Sequence, residues 1–130
     1  MNEFSIRYEA KESYLLITGK GCRKNLSEVL EGTREVAKAV SATNCRYLLV
    51  DYSAVYTKLP VADAFNIVRI YESKVTEFQN IVMAVVINPE EEQFDSFWEK
   101  ICRIRGFQFK IFTNLPEAEE WILTKINNSI

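Results

Sequence analysis

Three short stretches carry the residue types best suited to chemistry. In RYLLVDYSAVYTKLP (46–60) an apolar run, Tyr47 to Val50, ends at Asp51, and Ser53, Tyr56 and Thr57 follow. A carboxylate or hydroxyl at such a junction is placed to accept a phosphoryl group. In GKGCRKN (19–25), Lys20, Arg23 and Lys24 surround Cys22. Cations ahead of a helix N-terminus can hold an anion and can lower a thiol pKa. Glu90, Glu91 and Glu92 stand in a row, as a cation site would require.

Each stretch also has a plainer account. An acceptor aspartate of the receiver type needs acidic residues after the first strand to hold magnesium, and a lysine closing the last strand. Here the first strand ends Glu9-Ala10-Lys11 and Lys110 falls inside the last one. Asp51 reads instead as a carboxylate capping the amides of the 53–57 turn. The 19–25 stretch lacks the full glycine pattern of a nucleotide-binding loop, so turn glycines and solvated charges explain it. No base accompanies Cys22. Adjacent helical residues point about 100° apart, so the three glutamates complement a helix dipole rather than converge on a metal.

Histidine is absent, which removes the commonest general base and transition-metal ligand and excludes Ser-His-Asp and Cys-His hydrolases. Cys22, Cys45 and Cys102 form no CxxC pair, so neither a zinc knuckle nor a disulfide framework is indicated, and the thiols are expected to stay reduced. No catalytic residue, metal or cofactor is expected. A formal charge of −2 and a pI of about 5.3 provide no field for nucleic acid or anionic lipid. No apolar run approaches the roughly 20 residues of a membrane span, and MNEFSIRYEAKES lacks the apolar centre of a secretion signal. The expected location is the cytoplasm.

The elements that must position these residues follow from periodicity. Residues 3–9 and 13–19 alternate with period two around Ala10-Lys11-Glu12, a β-hairpin. Asn25 and Glu28 have capping-box spacing ahead of a helix to about Ala42, whose inward stripe includes Val29, Thr33, Val36 and Val40. Cys45 to Asp51 is a strand, Val61 to Phe78 a helix, and Ile81 to Ile87 the central strand. Asn88 and Pro89 open a further helix with Phe94, Phe97, Trp98, Ile101 and Ile104 on one face, stopped by Gly106. A strand over 107–112 and a helix from Asn114, with Trp121, Ile122 and Ile126 inward, complete the chain. Trp98 and Trp121 read as core aromatics. The order ββαβαβαβα predicts an α/β fold over residues 1–130 as one domain: an open, mostly parallel mixed sheet flanked by helices, with the hairpin as an antiparallel edge.

This order, with VDYSAV (50–55) closing the third strand and LPEAEEWI (115–122) near the end, resembles the SpoIIAA-like proteins. These are small bacterial domains related to the STAS anti-sigma-antagonist fold and often grouped with the lipid-binding Sec14 fold. The resemblance spans the whole chain and implies a non-enzymatic domain working through protein association. In the antagonists a serine at a helix N-terminus is phosphorylated, and the added charge breaks an interface. Asp51, Ser53 and Val55 match the start of that pattern, but Pro60 and Val61 stand where the serine pair would be. The phosphorylation switch is therefore not expected here.

Ile67 and Ile70 widen the apolar face of the 61–78 helix beyond one sheet surface. Together with Tyr52, Ser53, Tyr56, Thr57 and Leu59 at the carboxyl edge of the sheet, they form the expected partner or ligand surface. The expected partner is a second copy or another protein. The alternative implied by the Sec14 kinship is a small apolar ligand, a lipid or fatty acyl group. An enzyme using Asp51 or Cys22 ranks third.

Overall fold

Alternation along the hairpin sets the edge of the sheet. The computed structural model describes residues 3–60, 62, 63, 66, 67, 69, 80–104 and 106–128, those at 93 and 94 without their side chains. Strand β1 (Ser5–Ala10) pairs antiparallel with β2 (Leu15–Arg23), and the turn closes with the Lys11 amide donating to the Tyr14 carbonyl at 2.9 Å. Strands β3 (Tyr47–Thr57), β4 (Val82–Ile87) and β5 (Gln108–Phe112) then add in parallel, so the order across the sheet is the order along the chain. The helices are α1 (Leu26–Thr43), α2 (Glu92–Ile104, after a 3₁₀ turn at Pro89–Glu91) and α3 (Leu115–Asn128). The mixed, mostly parallel α/β architecture expected from the pattern is the one observed.

Right-handed crossovers that always step the same way across a sheet deliver every connecting helix to one face. The core divides accordingly. On the first face Val29 and Val36 of α1, Ile67, and Trp98 and Ile101 of α2 pack on Leu15, Ile17, Leu48, Val50, Val85 and Phe109. On the second face Ala118 and Ile122 of α3 pack on Leu49, Val82, Ala84 and Val86. Ile122 is fully buried, a burial that contributes about 1.5–3 kcal/mol.

The helix ends form where the caps indicate. The Asn25 side chain accepts from the Glu28 amide at 2.9 Å, and Asn44 closes α1 at φ 53°. Asn88 accepts from the Glu90 amide at 3.0 Å, and Asn114 from the Glu117 amide at 3.0 Å. Gly106 adopts φ 89°, the left-handed stop expected of it. Of the helix expected over 61–78, Asp63, Asn66, Ile67 and Arg69 are helical; the expected core positions Ala64, Phe65, Val68, Tyr71, Val75 and Phe78 lie outside the described residues.

Three expectations need correction. β2 runs on to Arg23, so residues 19–23 are strand rather than loop, and Cys22 is 6% exposed inside it instead of displayed in a basic loop. β3 runs on to Thr57, because Val55, Tyr56 and Thr57 suit a strand and find partners in β2 up to the Arg23–Thr57 pair. Ile104, expected on the apolar stripe of α2, is 73% exposed at the helix's last residue, where the chain already turns away.

The longer β3 contains a bulge. Thr18 pairs with Asp51 and Lys20 with Ala54, so Tyr52 and Ser53 together oppose Gly19. The Asp51 carboxylate holds the extra residue, accepting from the Ser53 amide at 3.1 Å and its hydroxyl at 2.7 Å. One inserted residue reverses the alternation of everything after it. Tyr52 and, beyond the bulge, Val55 both approach Gly19 on the first face, and Val55 is 3% exposed.

Candidate functional site

Three glycines allow two aromatic rings to settle over the end of β2. A Cβ on Gly19 would lie 2.6 Å from the Tyr52 ring, and one on Gly32 of α1 would lie 2.8 Å from the Phe4 ring. Gly21, at φ 105°, lets the Glu3 carbonyl pass where any side chain would collide with it. Phe4 and Tyr52 therefore meet edge to face, 6.0 Å apart at 90°.

Arg23 is fixed by this pair. Its guanidinium carbon lies 5.3 Å from the Tyr52 centroid and 5.7 Å from that of Phe4, within cation–π range. Its Nε and Nη2 donate to the Thr57 hydroxyl at 3.0 and 2.6 Å. The Thr57 amide in turn donates to the Glu91 carboxylate at 2.5 Å, so one of the three adjacent glutamates ties β3 to the 3₁₀ turn after β4. Asp95, one turn further along, joins Arg23 at a cavity of about 70 Å³, whose other walls include Thr33, Tyr52, Ile67 and Trp98.

Electrostatics at this cavity follow burial. Desolvation pushes the Asp95 carboxyl up to about 7; the Arg23 charge opposes the shift and Glu91 adds to it. Burial also raises the Tyr52 phenol, again against Arg23. The cavity has room for a few waters, whereas ligand pockets of drug size run about 300–1,000 Å³. Burial, with Glu99 nearby, drives the Cys102 thiol up to about 12, and among the described residues no cluster of His, Cys, Asp and Glu is arranged to hold a metal ion.

The structure separates the residues singled out from the sequence. Tyr52 and Ile67 both line the cavity, and Thr57 is joined to it through Arg23. Ile67 is 1% exposed, so it belongs to an inner wall and not to an outer patch, because the sheet's first face absorbs it. Leu59 packs half-buried against the same core. Ser53 is exposed and bonded to Asp51, while Tyr56 is 45% exposed at the far end of β3. Ile70 lies outside the described residues. Sequence reasoning missed the roles of Arg23, Asp95, Phe4 and Glu91. One signal was legible: Asp95 interrupts an apolar helical stripe three residues before Trp98, a position where a carboxylate faces inward.

No protein-family profile matches the chain, and no curated protein matches its sequence. Solved structures do. An anti-sigma factor antagonist from Mycobacterium paratuberculosis superposes with a TM-score of 0.61 at 15% identity, over 92% of this chain and 94% of that one. An uncharacterised protein with a SpoIIAA-like fold from Shewanella loihica gives 0.56 at 16% identity, over 92% and 93%. With the strand order and the two-faced core described above, these likenesses show that the chain has the SpoIIAA-like fold.

Proposed function

We propose that this chain is a non-enzymatic regulatory domain of the cytoplasm that binds a protein partner through the far end of β3. One observation carries this reading. β4 accompanies β3 only as far as the Tyr52–Ile87 pair, while β2 continues to Thr57. Residues 53–57 thus continue alongside β2 past the end of β4, with Val55 turned inward and Tyr56 exposed near the tip. Exposed aromatics on a rigid strand are favoured contact anchors. Arg23, locked between two rings and bonded to Thr57, stiffens this end of β3 from behind.

Two further considerations support association over the alternatives. The Mycobacterium paratuberculosis protein is by name an antagonist of an anti-sigma factor, so one protein of this fold serves a protein partner. The cavity beside Arg23, of about 70 Å³, is several-fold smaller than a pocket for a lipid or fatty acyl group, which weighs against such a ligand at this site. No helix among the described residues is long and apolar enough to cross a membrane.

A photo-crosslinking residue placed at Tyr56, with Leu123 on α3 as an exposed control, tests the reading in the native host. The expected result is a protein adduct at position 56 that is missing at 123. Native mass spectrometry showing a retained acyl ligand, with no adduct at 56, would overturn it.

A further inference from the structure

β1 is the outer strand of the sheet, paired with β2 on one side. Arg7, Tyr8, Glu9 and Ala10 are all exposed along it, Tyr8 at 53%. The register with β2 divides them: Ile6 and Tyr8 lie opposite Gly19 and Ile17 on the first face, where α1 packs, and Arg7 and Glu9 opposite Thr18 and Leu16 on the second. We propose that two copies of this chain pair antiparallel through β1, about a two-fold axis at Tyr8, into one continuous sheet.

The charge pattern favours a particular partner and register. A two-fold axis perpendicular to the sheet pairs residues that share a face, so it must pass through a residue. Centred on Tyr8, it sets Arg7 opposite the second copy's Glu9 and Glu9 opposite the second copy's Arg7. Tyr8 then meets Tyr8, and Ile6 meets Ala10. Centred on Arg7 it would set arginine against arginine; centred on Glu9, glutamate against glutamate. Cross-strand pairs of opposite charge stabilise and like pairs destabilise, so the centre at Tyr8 is favoured over those on either side of it. Beside Tyr8 a groove of about 320 Å³ between β1 and α1, lined by Ile6, Ile17, Val36 and Ala39 with Arg7 and Glu35 also on its wall, leaves room for the tyrosine pair to pack.

Charged residues on an edge strand ordinarily deter pairing with other chains. Arg7 and Glu9 do so for a foreign strand of arbitrary sequence. Their antiparallel self-complementarity exempts this chain's own copy. The exposed Glu9–Lys11 contact at 3.2 Å exchanges readily with solvent and leaves Glu9 available. This edge is separate from the Tyr56 end of β3, and the inference does not rest on that reading.

Sedimentation equilibrium on the full chain tests it through a charge swap. The wild type is expected to be a dimer. Arg7→Glu and Glu9→Arg are each expected to dissociate about tenfold or more readily, because each sets two like-charge pairs across the axis. The R7E/E9R double variant restores both attractive pairs and the dimer. Mixing the R7E chain with the E9R chain gives a heterodimer from two weakly self-associating species. Both side chains are exposed, and unchanged circular dichroism confirms folding. A monomeric wild type, single variants that stay fully dimeric, or single variants that neither the double swap nor mixing rescues would each overturn the proposal.

Discussion

The Arg23 guanidinium lies 5.3 Å from the centre of the Tyr52 ring while bonding, at 2.6 Å, the hydroxyl of Thr57 five residues further along the same strand. One side chain of β2 thereby grips β3 at its bulge and again beyond it. Replacing Arg23 by alanine removes two ring contacts and leaves the Thr57 hydroxyl without its donor. The expected loss is roughly 1–3 kcal/mol, read as a lower denaturant midpoint at unchanged slope. Lysine, which lacks the planar fork, should recover only part of it.

Gly19 and Tyr52 should be energetically coupled, since a Cβ at residue 19 would come within 2.6 Å of the ring. Gly19→Ala should cost about 1–3 kcal/mol by overpacking, and Tyr52→Ala about 3 kcal/mol or more through the void it leaves. The double variant should cost clearly less than the sum, because removing the ring relieves the clash. Additive losses in a double-mutant cycle would contradict the packing described.

Asp95 gives a stability signature that depends on pH. Its folded pKa, about 7, lies above the ordinary aspartate value of 3.8, so the folded state binds the proton more tightly than the unfolded chain. Its favourable contribution is complete below about pH 4, declines between the two values and is gone above about 7. Asp95→Asn should therefore gain stability relative to wild type as pH rises from 4 to 7.5, by on the order of 2 kcal/mol after allowing for solvent reaching the half-buried carboxyl. Thermal melts of both proteins across that range would show it; parallel curves would contradict it.

The bulge makes a further prediction. Asp51→Ala removes the acceptor of both the Ser53 amide and hydroxyl, at an exposed site where water can substitute. The expected cost is about 0.5–1.5 kcal/mol. Hydrogen exchange should quicken at residues 53–55 and stay unchanged in β4.

Tyr56→Ala should behave differently. At 45% exposure the substitution should alter stability by less than about 0.5 kcal/mol, yet abolish retention of the proposed partner on pull-down.

Local signals decide what interactions within a few residues decide. The Asn25, Asn88 and Asn114 caps, the Gly106 stop, the hairpin around Lys11 and the alternation of apolar periods each depend on neighbours in the chain. They were legible from residue types alone. The order of elements then restricted the topology to a mostly parallel sheet.

Tertiary structure decided the rest, because pairing energy between distant segments overrides local turn signals. Asp51 and Ser53 read as the end of a strand, but β2 continues alongside them, and the chain accommodates its polar pair as a bulge that turns Val55 inward. Ile67 read as surplus apolar surface and is buried, since whether a helical residue is covered depends on what packs above it. The site itself joins Phe4, Arg23, Tyr52, Thr57, Glu91 and Asp95, drawn from four regions of the chain. Sequence determined which elements form and in what order; only the folded sheet, by fixing register and stacking, determined which side chains meet.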